Sequence, residues 1–211
     1  FAHPIPDLFS AAEAAPLLCA GAIGYRSLRL AQLKSGAPLG LTGFGASAHL
    51  VLKLVRHQHP QLPVYVFARS EKERLFALQL GAAWAGDSDE KAPALMQAII
   101  DTTPVWKPVV RALKQLEPGG RLVINAIRKE NQDRGLLAEI DYPNDLWMEK
   151  TVQSVANVSR ADVQEFLALA AEIPLHPTVE EFPLAAANRA LQQLKRQQVH
   201  GAKVLRIAPE P

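Results

Sequence analysis

The chain has 211 residues, 48% of them hydrophobic, so it can bury a substantial core and is not a disordered protein. Its formal net charge is only +2, and 23 lysines and arginines are interspersed with 21 acidic residues, which excludes the basic patch of a nucleic-acid-binding protein. The single cysteine, Cys19, excludes an internal disulfide and favours a reducing compartment, so we expect a cytoplasmic protein.

The N-terminal part of the chain predicts one long helix over residues 11 to 34. Ser10 is a candidate N-cap, Glu13 stands at the capping-box position, and "KSGAP" follows as a stop signal. Pro16 makes this helix imperfect, and no run is apolar for long enough to span a membrane. The opening "FAHPIPDLFS" has neither an initiator methionine nor a signal-peptide pattern, so we expect the chain to begin inside a larger protein.

From residue 35 onward, short apolar strands are predicted to alternate with amphipathic helices. The predicted strands are "PLGLTGFG", "PVYVFAR", "AAWAG", "AIIDTT", "RLVINAI" and "TVQSVANV". The predicted helices are "ASAHLVLKLVRHQ", "SEKERLFALQLG", "VWKPVVRALKQLEPGG" and "RADVQEFLALAAE". This alternation is typical of the α/β class, with a doubly wound parallel sheet covered on both faces. The polar stretch 128 to 150 reads as a loop, and a final strand, helix and strand are predicted from "TVEEFPL", "AAANRALQQLKRQQ" and "AKVLRIA".

A glycine-rich turn joins the first of these strands to its helix, in "LGLTGFGASAHL". Such a turn brings backbone N–H groups and the positive end of a helix dipole to one point, where a phosphate can bind. Gly43 and Gly45 occupy the first two glycine positions of the dinucleotide fingerprint, and Ala48 occupies the third, where alanine is tolerated. A bare match of this kind is as often a structural turn, but its place between a strand and a helix favours dinucleotide binding.

The end of the second predicted strand favours NADP over NAD. In NAD-binding proteins an acidic residue at this position binds the ribose 2′-hydroxyl, whereas this chain has Ala68, Arg69 and Ser70. The missing carboxylate cannot repel a 2′-phosphate, and a guanidinium and a hydroxyl are available to bind one. The alternative is that Arg69 is only a solvated loop charge, so NAD remains possible.

Several segments together resemble the C-terminal part of the zinc-dependent alcohol dehydrogenases of the medium-chain dehydrogenase family. Besides the glycine turn and the second strand, these are "AAPLLCAGAIGYRSL", "LEPGGRLV", "SVANVSRADVQEFL" and "HGAKVLRI". The resemblance extends over essentially all 211 residues. It implies a linking segment with an inter-domain helix at 1 to 34, an NAD(P)-binding Rossmann domain at 35 to 172, and the C-terminal part of a GroES-like catalytic domain at 173 to 211. We expect the rest of that catalytic domain to lie outside this sequence.

The resemblance also implies hydride transfer between an alcohol or aldehyde and NADP(H), with zinc as the catalytic metal. Cys19, in "LLCAG", matches the last catalytic zinc ligand of the family. One thiolate does not make a zinc site, so we expect this chain alone to bind no zinc strongly and to be inactive. Without the resemblance, a lone cysteine in an apolar helix is more often a small buried hydrophobe. No catalytic residue is assigned, and His49 can either reach the cofactor or pack against the sheet.

The family pattern implies further cofactor-binding residues. Around the pyrophosphate turn they are Thr42, Phe44, Ala46 and Ser47, in addition to the two glycines. On the adenine side they are Thr102 and Thr103, and near the nicotinamide, mainly through backbone groups, Asn125, Ala126, Val155 and Ala156. Each is equally explained as a strand-end or helix-start residue. Ile23 and Ala202 depart from the family pattern, which often has threonine and arginine there.

Two other functions stay open at this point. The chain can be a nucleotide-binding or interaction module without redox chemistry, or part of a zinc-independent quinone reductase, although Cys19 argues against the latter. We also expect a homo-oligomer, such as a dimer, formed through a sheet edge at "RLVINAI" or "TVQSVA", with no membrane and no nucleic acid as partner.

Overall fold

The capping box predicted at the N-terminus is present in the computed structural model, which describes residues 2–196 and 201–207. Ser10 Oγ accepts the N–H of Glu13, and the Glu13 carboxylate accepts the backbone N–H of Ser10. The helical segment that follows has three parts, which are α1 (Ala11–Pro16), a π-helical stretch (Leu17–Gly21) and α2 (Ala22–Ala31). It ends three residues earlier than predicted, because Gln32 adopts the left-handed conformation with φ of 49°. The π-helical stretch directly follows Pro16, which has no N–H to continue the regular ladder.

Six parallel strands form the central sheet. They are β1 (Leu39–Thr42), β2 (Val64–Phe67), β3 (Trp84–Gly86), β4 (Met96–Asp101), β5 (Leu116–Ile124) and β6 (Thr151–Ser154). Their order is β3-β2-β1-β4-β5-β6, and every pairing is parallel. Strands β2 and β3 are added on one side of β1, and β4, β5 and β6 on the other. The order of strands therefore reverses between β1 and β4, which is the switch point of a Rossmann fold. The predicted doubly wound α/β class is therefore confirmed.

Helices cover both faces of this sheet. They are α3 (Ala46–Gln58), α4 (Glu71–Gln79), α5 (Lys107–Leu113) and α6 (Arg160–Glu172). One face, with Leu41 and Val66, packs on α2, α3 and Ala77 of α4, while the other, with Phe67 and Ile99, packs on α5. Neighbouring strand residues point to opposite faces, so strands that are apolar throughout supply both cores.

The structure corrects two predictions around β5. The "LEPGG" segment, predicted to end a helix, belongs to β5, and α5 ends earlier, at Leu113. The strand accommodates these residues through a register shift between Met96 and Ala98 of β4 and through Gly119, whose φ is 71°. Moreover, β5 pairs on both sides, so "RLVINAI" is not a sheet edge, and the suggestion that it mediates oligomerisation is wrong. Of the two suggested segments, only that of β6 lies at an edge.

The predicted final strand, helix and strand are present as β7 (Val179–Pro183), α7 (Ala187–Lys195) and β8 (Ala202–Arg206), while residues 197, 198 and 208 of the predicted segments lie outside the described residues. The two strands form a separate parallel pair. Gly201 precedes β8 with φ of 67°, and a Cβ there would lie 2.1 Å from the Thr178 carbonyl oxygen, so the approach requires glycine. His200, at the start of "HGAKVLRI", lies outside the described residues. Across the described part of the chain, no helix is long and apolar enough to cross a membrane.

Candidate functional site

The glycine turn lies at the carboxyl edge of the sheet, beside the switch point. Gly43 follows β1 with φ of 77°, and its N–H donates to the Phe67 carbonyl at 2.8 Å. Gly45 is the N-cap of the 13-residue helix α3 and offers no side chain to cap it. The Ser10, Ser70 and Ser159 hydroxyls, by contrast, cap α1, α4 and α6. The first turn of α3 therefore presents backbone N–H groups without a capping side chain, which is the arrangement that binds an anion.

The two glycines of the turn are needed for different reasons. A Cβ on Gly43 would lie 2.9 Å from Thr102 Oγ1 and Thr103 Cγ2, so its lack of a side chain serves the fold. A Cβ on Gly45 would meet no atom within 4 Å, so the fold does not require glycine there. Open space at Gly45 lets a ligand approach the backbone closely, as the dinucleotide fingerprint requires.

The other residues predicted in the turn contribute in different ways. Phe44 is buried and packs edge-on against Phe76, with the ring centroids 5.6 Å apart, so only its backbone can face a ligand. Thr42 is also buried, and its hydroxyl donates to the Asp101 carboxylate at 2.6 Å. Ala46 and Ser47 open α3 and are half-buried.

The adenine-side threonines are bound to the protein. Thr102 Oγ1 donates to the Thr42 carbonyl at 3.0 Å, and Thr103 Oγ1 donates to Asp101 Oδ1 at 2.7 Å. Both side chains also contact the space beside Gly43. Their role is thus to support the turn from the end of β4.

A buried ion pair, which the sequence reading missed, lies beneath this end of the sheet. Asp101 is fully buried at the end of β4, and Lys129 Nζ pairs with its Oδ2. The signal in the sequence was an aspartate that directly follows the apolar run "AII", since a buried carboxylate needs a partner. The lysine itself lies in the 128 to 150 stretch, which was predicted only as a loop.

The four residues predicted near the nicotinamide come from the ends of β5 and β6. The Asn125 side chain donates to Ser27 Oγ at 2.8 Å and to Ser47 Oγ at 3.3 Å, so it joins the crossing helix α2 to the start of α3. Val155 is buried and donates its N–H to the Ile124 carbonyl. Ala126 is half-buried and Ala156 is exposed, so these two leave backbone groups accessible.

The three residues after β2 differ in what they can offer to a phosphate. Ala68 is buried. Ser70 caps α4 by accepting the Glu73 N–H at 3.2 Å, and Arg74 Nη1 donates to the carbonyls of residues 68 and 69. Arg69 is exposed, and no ion pair to it is found within residues 2–196 and 201–207. Its guanidinium is therefore the cation available at this position.

Cys19 lies in the π-helical stretch between α1 and α2 and is exposed. The alternative in which it is a small buried hydrophobe is therefore wrong. Within the described residues, no group of three or more histidine, cysteine or acidic side chains is arranged to hold a metal ion. A catalytic zinc takes about three protein ligands, so the described residues do not by themselves fit a zinc site.

His49 packs inside the fold instead of reaching the turn from outside. It is fully buried, its Nδ1–H donates to the Gly45 carbonyl at 3.2 Å, and its Nε2 accepts the Thr178 N–H at 3.3 Å. Burial lowers the pKa of the ring to about 4, although the hydrogen bond to Gly45 acts in the opposite direction. His49 is therefore neutral at pH 7 and holds the base of α3 against the segment before β7.

Acidification is expected to destabilise the chain through His49. The pKa of this ring falls from 6.5 to about 4 on folding, so the unfolded chain binds more protons between these values. The free energy of unfolding should decrease by up to roughly 3 kcal/mol as the pH falls through this window. The His49→Gln variant should show a shallower decrease in urea unfolding measured from about pH 7 to about pH 4. An unchanged slope in the variant would contradict this role.

Comparison with known proteins finds dehydrogenases that are similar to nearly the whole of this chain. No protein-family model matches it. The protein named "Probable alcohol dehydrogenase AdhA" of Mycobacterium tuberculosis is 40% identical over 207 residues, which cover 98% of this chain and 58% of that protein. A mannitol dehydrogenase of Apium graveolens is 31% identical over 92% of this chain and 53% of its own length. A solved cinnamyl alcohol dehydrogenase of Sorghum bicolor superposes with a TM-score of 0.76 at 26% identity, over 95% of this chain and 57% of that chain. The chain thus spans little more than half the length of these relatives.

Proposed function

We propose that the whole protein is a zinc-dependent, NADP-preferring alcohol dehydrogenase, because this chain belongs to the alcohol dehydrogenases of the medium-chain dehydrogenase family. It would transfer hydride between an alcohol or aldehyde and the nicotinamide. In this proposal the chain supplies the cofactor-binding part, over residues 35 to 172, and one zinc ligand, Cys19. Residues 1 to 34 link the domains, and residues 173 to 211 belong to the catalytic domain. By itself the chain binds nucleotide and does not oxidise alcohols.

The observation that carries the proposal is the uncapped start of α3 behind the open Gly45. In that position the backbone N–H groups of residues 44 to 47 would bind the pyrophosphate, whose charge the helix dipole stabilises. Gly43 provides the left-handed turn that aims these groups outward. Glycine is a common N-cap residue, and α7 also begins without a side-chain cap, so the support for a ligand comes from the open space at Gly45 together with these uncapped N–H groups.

The remaining residues would orient the cofactor. The backbone groups at 125 to 126 and 155 to 156 would hold the nicotinamide ring at the ends of β5 and β6, next to α2. Asn125 would fix the distance between α2 and α3 through Ser27 and Ser47. When bound in the whole protein, the nicotinamide accepts or donates the hydride.

The preference for NADP is tested by the Arg69→Ala variant. Arg69 is exposed at the end of β2 and has no ion pair among the described residues, so its loss should weaken NADPH binding about tenfold or more and leave NADH binding nearly unchanged. Calorimetric titration of the chain with each nucleotide measures both affinities. Arg196→Ala, which removes an exposed arginine at the end of α7, is the matched control.

Two results would count against the cofactor proposal. Equal or tighter binding of NADH by the unmodified chain would remove the NADP preference. A loss of NADPH affinity in Arg196→Ala equal to that in Arg69→Ala would show that the effect is not local to the end of β2.

We further propose a cytoplasmic homo-oligomer that pairs through β6. Its outer side carries no strand partner within the described residues, and Val152 on it is 45% exposed. Unpaired strand edges of this kind are commonly covered by a second copy.

A second candidate is a cofactor-binding module without redox activity. Its support is that Cys19, the one cysteine of the sequence, has no group of metal-binding side chains around it within the described residues. Zinc content and alcohol oxidation of the whole protein discriminate between the two, since the module would show neither.

A further inference from the structure

We propose that Lys129 is a positioning residue that neutralises the buried Asp101 carboxylate, so that the glycine turn can accept an anionic ligand. This inference rests on the proposed function, because it concerns the pyrophosphate of the same cofactor. Lys129 would be a determinant of nucleotide affinity in the 128 to 150 stretch, away from both the glycine turn and the residues that follow β2.

The pair is shielded from solvent on both sides. Asp101 is 0% exposed and the Lys129 side chain is 9% exposed. Lys129 Nζ pairs with Asp101 Oδ2 and also donates to the carbonyls of Thr103 at 2.7 Å and Val105 at 3.0 Å. An ammonium group has three N–H donors, and three acceptors surround this one. Lys129 therefore has no donor left for a phosphate and acts through its charge on Asp101.

The second oxygen of the carboxylate connects it to the turn. Asp101 Oδ1 accepts the hydroxyl of Thr42, the residue directly before Gly43, at 2.6 Å. It also accepts the hydroxyl of Thr103, whose methyl group borders Gly43, at 2.7 Å. One carboxylate thus fixes the ends of β1 and β4 on both sides of the turn.

The charge of this carboxylate matters because the turn is to bind an anion. A buried charge is screened by solvent and salt far less than an exposed one. Without Lys129, Asp101 would place an uncompensated negative charge against Thr42, the residue directly before Gly43, and would repel the pyrophosphate. With Lys129, the pair is neutral overall, and the amide groups of α3 determine the local field.

The lysine is held in place by the stretch that carries it. The Glu130 N–H donates to the Pro104 carbonyl at 2.7 Å, and Asp133 Oδ2 accepts the N–H groups of Trp106 and Lys107 at the start of α5. The stretch predicted as a loop is therefore anchored along the connection between β4 and α5. The first residue of this stretch to contact the connection is Lys129, which also neutralises the Asp101 carboxylate.

The test compares NADPH affinities of charge variants of the chain by calorimetric titration. We expect Lys129→Met to weaken NADPH binding about tenfold, and Lys129→Arg to retain most of the affinity. The double variant Asp101→Asn with Lys129→Met should recover most of the loss, because no uncompensated charge remains. Asp101→Asn alone should bind NADPH at least as tightly as the unmodified chain, since it adds net positive charge beside the turn.

The matched control is Lys150→Met. Lys150 belongs to the same stretch and donates to two backbone carbonyls, those of Leu113 and Asn144, away from the turn. It should leave NADPH affinity unchanged. Circular dichroism of each variant verifies folding, and if Lys129→Met does not fold, Asp101→Asn and the double variant still decide the matter.

A purely structural role gives the opposite pattern. The double variant would then bind NADPH as weakly as Lys129→Met or more weakly. Asp101→Asn would also bind NADPH more weakly than the unmodified chain. Either result would overturn the inference. Equal NADPH affinity of Lys129→Met and the unmodified chain would also overturn it. Failure of the unmodified chain to bind NADPH is a distinct result, because it removes the proposed function and this inference with it.

Discussion

The Gly45→Val variant is expected to lose NADPH binding by about a hundredfold or more, while losing no more than about 1 kcal/mol of stability from the poorer N-cap residue. A side chain at Gly45 meets no protein atom within 4 Å, and the backbone there is extended, with φ of −98°, so valine costs the fold little. The same side chain would occupy the space through which a pyrophosphate reaches the N–H groups of α3. A large loss of binding with a small loss of stability is expected of a glycine that serves a ligand.

Two other glycines serve as comparisons. Gly135→Val alters a glycine that also meets no atom within 4 Å but lies in the 128 to 150 stretch, so NADPH affinity should be unchanged. Gly43→Ala should lower both affinity and stability. The φ of residue 43 is 77°, and the added Cβ would lie 2.9 Å from atoms of Thr102 and Thr103. Calorimetric titration and urea unfolding measure the two quantities. NADPH binding by Gly45→Val at the affinity of the unmodified chain would refute the proposed mode of binding.

The Asp162→Ala variant is expected to lower the free energy of unfolding by about 2 kcal/mol, through the loss of the α6 cap and of two ion pairs whose arginines are 34% and 51% exposed. Asp162 is 1% exposed on α6 and pairs with Arg26 at 2.6 Å and Arg29 at 3.0 Å, both on α2. It also completes a capping box with Ser159 at the start of α6. Its loss leaves two arginines facing each other and removes the cap at once. Urea unfolding at about pH 7 gives the measurement.

Glu165→Ala is the matched control on the same helix. Its carboxylate is 49% exposed and pairs with Arg29 at 2.9 Å, so its removal should cost no more than about 1 kcal/mol. A loss in Asp162→Ala no larger than in Glu165→Ala would show that the buried pair does not join α2 to α6.

The contribution of Asp162 should also depend on pH. Burial raises the pKa of its carboxyl, but the Ser159 hydroxyl and N–H and the Arg26 guanidinium outweigh burial and lower the pKa from 3.8 to about 2. Because the folded pKa is the lower one, this contribution is complete above about pH 4 and is lost as the pH falls towards 2. The destabilisation of Asp162→Ala should therefore shrink in that acidic window.

The sheet could be predicted from the sequence because its signals are local. Most strands are short apolar runs beside a helix start or a helix stop, and the alternation allows few topologies once crossovers are right-handed. The predicted end of α5 was wrong. Pro118 and Gly119 are typical of a helix stop, but the register shift in the pairing of β4 with β5 allows them to lie within the strand. Propensity describes the segment alone, whereas the shift depends on its pairing with β4.

The site was predictable to the extent that backbone geometry defines it. The glycine turn follows from residue type and position, whereas the pairing of Asp101 with Lys129 joins residues 28 positions apart and has no local pattern. The same holds for Asn125, whose partners Ser27 and Ser47 come from two other helices. The metal ligand Cys19 stays a prediction, because one donor in a chain does not define where the others lie.

A crystal structure of the chain grown with NADPH would show whether the backbone N–H groups from Phe44 to Ser47 bind the cofactor pyrophosphate. Both phosphates should lie within hydrogen-bonding distance of these groups, beside Gly45, with the 2′-phosphate near Arg69. Density for the nucleotide elsewhere on the chain, with the turn contacting only protein, would contradict this mode of binding.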